Sequence, residues 1–147
     1  MRVKPGIFFA DDPALNGKRR ELVAEDYVYS MKRHFDPKKK SPNLYLLEGQ
    51  IAGMDEVLAA ARKANRMDYD VPVEGLRALD RYTFQVKLAE PAPRFASNFA
   101  DGSFTGAVAR EVVEFYGDKI MAHPVGTGPF RLGPWRRSSR IVLERNP

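Results

Sequence analysis

With 147 residues, 44% of them apolar and 29% charged, the chain has the composition of a folded globular protein and enough length for one domain with an ordinary core. No run approaches the roughly 20 consecutive apolar residues of a membrane-spanning helix, and the absence of cysteine excludes disulfides, thiolate metal sites and cysteine nucleophiles. The net charge of +5 is a small excess of 24 basic over 19 acidic residues, interleaved along the chain, which weighs against a nucleic-acid surface.

The opening Met1-Arg2-Val3-Lys4-Pro5-Gly6 lacks the apolar run of a secretory signal, so any export signal is expected outside this sequence. Val3, Ile7 and Phe9 read as a strand interrupted by the Pro5-Gly6 turn pair, and Asp11 to Arg20 as a charged surface loop. From Ala24 to His34 the apolar residues Ala24, Tyr27, Val28, Met31 and Phe35 recur at helical spacing, with Glu25 and Asp26 where the helix dipole favours acids. Asp36-Pro37 ends that helix, because proline disfavours a helical residue before it, and Lys38 to Pro42 follows as a basic loop.

Ile51, Met54, Val57, Leu58 and Ala61 mark a second helix over Met54 to Asn65, acidic early and basic late. Met67 to Val73 reads as a loop leading to a hairpin. Its second strand is signalled by Tyr82, Phe84, Val86 and Leu88 alternating with Thr83, Gln85 and Lys87; its first is Leu76 to Leu79. Pro91-Ala92-Pro93 starts a short helix carrying Phe95 and Phe99, which Asp101-Gly102-Ser103 should end. Val108, Val112, Phe115 and Tyr116 predict a helix from Ala107 to Tyr116, closed by Gly117. Gly126-Thr127-Gly128-Pro129 opens a last hairpin, Phe130 to Trp135 with Arg140 to Glu144. Strand, helix, helix, hairpin, helix, helix, hairpin is the order of an α+β lobe.

Chemistry-bearing patterns are sparse. His34 and His123 have no metal-ligand spacing and read as exposed or helix-end residues, so no metal or cofactor is expected. There is no Gly-x-Ser-x-Gly elbow, and Gly126-Thr127-Gly128 lacks the Gly-Lys-Ser/Thr of a phosphate loop. The adjacent carboxylates Asp11-Asp12 and Asp55-Glu56 sit in a turn and a first helical turn, where solvated acids are ordinary. No arrangement supports an enzyme. Among the aromatic residues Tyr27, Tyr29, Tyr45, Phe95, Phe99, Phe104 and Trp135, most should be core. Tyr29 and Tyr45 lie off the main apolar stripes or in a loop and are the better ligand candidates. Arg19-Arg20, Lys38 to Lys40 and Arg136-Arg137 keep a basic nucleic-acid- or anion-binding module as the alternative.

Three blocks carry a resemblance. Ala24-Glu25-Asp26-Tyr27-Val28-Tyr29-Ser30-Met31-Lys32-Arg33 before Asp36-Pro37, Leu76 to Phe84 with Glu90-Pro91-Ala92-Pro93, and Gly126 to Leu132 with Trp135 and Ile141 to Pro147 together resemble family 5 of the bacterial extracellular solute-binding proteins. Val23 departs from it, standing where a helix-capping threonine is usual. The resemblance implies an α+β piece, with packed helices on a mixed sheet, of a two-lobed class II periplasmic-binding-protein-like fold. Residues 10–122 would be most of an extra scaffold lobe, and 1–9 and 123–147 strands of the amino-terminal ligand lobe. It implies a periplasmic or extracytoplasmic, non-enzymatic receptor that closes on oligopeptides or similar solutes and hands them to an ABC permease, with no nucleic-acid partner. The remaining lobe of the parent, which anchors a peptide's charged amino end, is the other implied partner. Tyr45 falls where such receptors place a cleft-facing tyrosine, Phe104 and Thr105 where a loop approaches ligand, and Thr127 near the cleft floor.

Overall fold

The computed structural model describes residues 1–146, the side chain of Ser103 apart; Pro147, the end of the third block, lies outside the described residues. Packing divides the chain into two compact units, Met1–Val3 with Val23–Ala107, and Lys4–Leu22 with the residues from Val108 onward.

In the first unit, helix α1 spans Ala24–Arg33 with Glu25 and Asp26 in its first turn and Lys32 and Arg33 in its last, as the sequence predicts. Val23 offers no side-chain cap, and the Asp26 carboxylate compensates by accepting the Val23 amide at 2.8 Å. Ala24, Val28, Met31 and Phe35 are at most 2% exposed, and burying a side chain the size of Met31 or Phe35 is worth about 2 kcal/mol. Helix α2 (Met54–Ala64) lays Met54, Leu58 and Ala61 into the same core. It ends at Asn65, whose φ of 47° turns the chain so that the Arg66 amide reaches the Ala61 carbonyl at 3.0 Å.

Strands β1 (Leu76–Asp80) and β2 (Thr83–Val86) form an antiparallel hairpin with Leu76 opposite Val86 and Ala78 opposite Phe84. α1 packs on it, and the Tyr27 and Phe84 rings stack at 5.0 Å. Phe99 extends the aromatic run, 6.0 Å from both Phe84 and Phe95. The short helix expected after Pro91-Ala92-Pro93 is a 3-10 helix, Phe95–Ala100, and it ends at Asp101 as the sequence predicts, the Asp101 amide donating to the Asn98 carbonyl at 3.3 Å. The same residue opens helix α3 (Gly102–Thr105), which the sequence did not signal: its carbonyl accepts the Phe104 and Thr105 amides. One expectation is corrected here. The first element is no strand: Arg2 and Phe8 make only isolated bridges, because Gly6 (φ 79°) breaks the extended run between them.

In the second unit, Asp12 caps a 3-10 turn, Pro13–Leu15, whose Leu15 is buried. Helix α4 (Arg110–Tyr116) buries Val112 and Val113 and packs on that turn. It starts three residues later than its periodicity predicts, because Ala109 is extended (ψ 124°) and acts as the cap. Arg20 pairs with Glu111 at 2.5 Å, and the Tyr116 hydroxyl donates to Asp12 at 3.0 Å.

Strands β3 (Phe130–Arg136) and β4 (Arg140–Arg145) form the predicted second hairpin. Among the described residues the strands make two separate antiparallel pairs, where a mixed sheet was expected: each hairpin finds its only strand partner within itself, so no parallel pairing arises. The register places Leu132 opposite Leu143 and Trp135 opposite Ile141, so these share one face with Phe130; Arg131 and Glu144 are ion-paired on the other. No residue of either strand is buried, and Phe130, Ile141 and Leu143 are each more than 60% exposed.

Candidate functional site

The end of α1 organises the polar part of the first unit. Asp36, 6% exposed, accepts the Lys38 amide at 3.0 Å and the Tyr69 hydroxyl at 2.7 Å. Burial, and then the hydrogen bond to and charge of Asp36, push the Tyr69 phenol far above its ordinary value. The ammonium of Lys32, itself 4% exposed, donates to the carbonyls of Tyr69 at 2.9 Å and Val71 at 2.7 Å. This clamp holds the Met67 to Val73 loop against α1 and satisfies a charge that would otherwise be costly to bury. Beside it runs a groove of about 390 Å³, bounded by Glu25, Val28 and Lys32 of α1 and by Tyr69, Val73 and Leu76.

At the C-cap of α1, His34 joins two segments. Its Nδ1 lies 2.6 Å from the Ser41 hydroxyl, and its Nε2 lies 2.8 Å from the Phe104 carbonyl oxygen. Burial lowers the imidazole pKa, the Phe104 carbonyl opposes that, and the Arg33 charge adds to it.

The sequence-predicted site residues fall as follows. Tyr45 sits in a 3-10 turn, Leu44–Leu46, and is 73% exposed. Phe104 and Thr105 are in α3 and buried, with the Phe104 ring tilted on His34 at 5.3 Å and the Thr105 hydroxyl donating to the Asp101 carbonyl at 3.1 Å. These three belong to the first unit, where His34 links the segment leading to Tyr45 with that of Phe104 and Thr105.

Thr127 belongs to the second unit and is exposed. Its loop is held by hydrogen bonds from the Ala10 amide to the Gly126 carbonyl at 2.8 Å and from the Asn146 side chain to the Gly128 carbonyl at 3.0 Å. Tyr29, expected to be a ligand candidate, is 5% exposed and packs on Tyr69 at 4.9 Å. It is core, because α1 is covered well beyond its apolar stripe.

Sequence reasoning missed His34, read as a plain helix-end residue; a helix-end histidine directly before an apolar Phe35 was the available signal. Of the basic pairs, Arg20 is engaged by Glu111 and by the Glu21 carbonyl, Arg19 covers the Phe8 ring at 4.0 Å, and Arg137 lies 5.4 Å over Trp135. Among the described residues no group of three histidine or carboxylate side chains could hold a metal.

Comparison with known proteins matches residues 1–147 to the bacterial extracellular solute-binding proteins, family 5 Middle. The periplasmic oligopeptide-binding protein OppA of Salmonella typhimurium is 39% identical over 129 residues, which are 86% of this chain and 22% of that protein. The structure of OppA from Burkholderia pseudomallei superposes with a TM-score of 0.72 at 25% identity, covering 99% of this chain and 26% of that one. The periplasmic oligopeptide-binding protein of Borrelia burgdorferi gives a TM-score of 0.77 at 22% identity, covering 99% of this chain and 27% of its own, and bears on the fold alone. The chain thus spans about a quarter of the length of the proteins it matches, and its α+β architecture is that of one part of a periplasmic binding protein. It belongs to family 5 of the bacterial extracellular solute-binding proteins.

Proposed function

We propose that the chain is the scaffold portion of an extracytoplasmic receptor that captures oligopeptides or similar solutes and presents them to an ABC permease, without catalysing a reaction. The observation that carries this reading is the 39% identity to a periplasmic oligopeptide-binding protein across 86% of the chain. A second observation supports incorporation into a larger protein: on the apolar face formed by Phe130, Leu132, Trp135, Ile141 and Leu143, the residues Phe130, Ile141 and Leu143 are more than 60% exposed, and a lone two-stranded hairpin is marginal in water. In this reading the remaining lobe covers that face and completes the cleft. Residues 10–122 then belong to the scaffold lobe, and 1–9 and 123–147 to the amino-terminal ligand lobe. Tyr45, Phe104, Thr105 and Thr127 mark the segments that meet solute.

Capture follows from closure of two lobes on a ligand that touches both, so that binding energy favours the closed state. Peptide backbone groups are met by hydrogen bonds and side chains by hydrated pockets. Calorimetric titration with di- to pentapeptides tests this. The full-length receptor carrying this sequence should bind, and the 147-residue chain alone should bind far more weakly. Equal affinity of the two, or no binding by the receptor, would contradict the proposal.

A further inference from the structure

We infer that His34 is a positioning residue for solute capture, holding the Phe104–Thr105 turn and the segment leading to Tyr45 in one fixed arrangement through a directional hydrogen-bond chain. The inference rests on the receptor reading above, and it adds a residue that touches no solute itself.

The chain of bonds has one consistent polarity. A carbonyl oxygen only accepts, so the 2.8 Å contact with Phe104 requires the proton on Nε2. A neutral ring with its proton there has an accepting Nδ1, so Ser41 must donate its hydroxyl proton across the 2.6 Å contact. The Ser41 oxygen keeps lone pairs, and one of them accepts the Asn43 amide at 3.2 Å. Asn43 immediately precedes the 3-10 turn that carries Tyr45. From Asn43 through Ser41 and His34 to Phe104, every donor meets an acceptor in a single tautomer. Burial, the main influence on the imidazole, lowers its pKa and so favours the neutral form that this geometry requires.

The two segments so joined are far apart in sequence, with His34 and Phe104 seventy positions apart. The contact is also doubled, because the imidazole lies against the Phe104 ring at 5.3 Å while its nitrogen holds the carbonyl of the same residue. α3 has only four residues and cannot hold its place by its own helical hydrogen bonds. An external tether on Phe104 therefore decides where Thr105 and the Phe104 ring stand.

The test uses the full-length receptor with His34→Gln, His34→Asn and His34→Ala, each titrated with a random tetrapeptide mixture. Glutamine can place an amide donor near the Nε2 position, whereas asparagine mimics only Nδ1. Losing the bond to Phe104 should weaken binding by about tenfold in the Asn and Ala variants, with His34→Gln within about threefold of wild type. Nitrogen chemical shifts should show the Nε2–H tautomer in the unsubstituted protein. Affinities unchanged in folded variants, equal losses in the Gln and Asn variants, or an Nδ1–H tautomer would each overturn the inference.

If the unsubstituted receptor binds no tetrapeptide, the receptor reading fails, and amide exchange then decides the tether on its own. The Thr105 and Gly106 amides should exchange faster in the Asn variant than in the Gln variant. Equal rates would refute the tether.

Discussion

Gly75 lies so close to Ala52 that a Cβ on it would fall 2.5 Å from the Ala52 carbonyl oxygen, with the Lys87 carbonyl oxygen 2.7 Å away. The approach is functional in the fold: the Gly75 amide donates to Ala52 at 2.9 Å and the Lys87 amide donates to Gly75 at 2.8 Å, so three backbone segments meet without intervening side chains. All the obstructing atoms are backbone, which cannot swing aside. Gly75→Ala should therefore cost about 3 kcal/mol of stability, read as a lower urea midpoint with an unchanged slope.

At the start of α1 the cap is incomplete, with Val23 extended (φ −127°, ψ 169°) but lacking a side-chain acceptor. Val23→Thr keeps the β-branched shape and adds a side-chain oxygen for the Asp26 amide, which donates to the Val23 carbonyl at 3.2 Å. A gain of about 1 kcal/mol is expected in chemical denaturation.

Tyr69→Phe removes the hydroxyl that the buried Asp36 carboxylate accepts at 2.7 Å, and should cost about 2 kcal/mol. The same contact sets an alkaline limit. The folded phenol titrates far above its ordinary value of 10.0, so above that pH the unfolded chain loses a proton that the folded chain retains. Stability is full below pH 10.0 and falls as pH rises beyond it, and this part of the fall should vanish in Tyr69→Phe.

His34 works in the opposite direction. Its folded pKa is below 6.5, so as pH falls through 6.5 the unfolded chain takes up a proton that the folded imidazole resists. Its contribution is complete above pH 6.5 and is lost on acidification towards the folded pKa. The melting temperature of the unsubstituted protein should drop more steeply between pH 7 and pH 5 than that of His34→Gln.

Ile141 is 61% exposed on the apolar face of the second hairpin. In the 147-residue chain Ile141→Thr should change stability by less than about 0.5 kcal/mol. In the full-length receptor, where another lobe is proposed to cover that face, it should cost about 2 kcal/mol. Equal small effects in both proteins would argue that the face stays open to water.

Much of this architecture was legible in the residues themselves. α1 and α2 combine a 3.6-residue apolar period with acids early and bases late, and their bounds follow the sequence to within a residue. The alternation from Thr83 to Val86 fixed the face on which Phe84 is buried. Weaker signals were incomplete where one residue serves two helices. Asp101 closes Phe95–Ala100 as expected, but its carbonyl also opens α3, which is too short to show a period. Tyr29 misled: periodicity assumes that a helix has a wet face, whereas α1 also buries Asp26, Ser30 and Lys32. The His34 and Lys32 contacts bridge positions seventy and nearly forty residues apart, which no local pattern encodes.

The second unit is discontinuous, made of Lys4–Leu22 and the stretch beyond Val108, with nearly all of the first unit threaded between them. During synthesis the early stretch must wait, because partners of Ala10 and Arg20 such as Gly126 and Glu111 emerge only after Ala107. The threaded residues can meanwhile gather around α1, so the nascent polypeptide is expected to mature from its middle outwards, its flanks joining last.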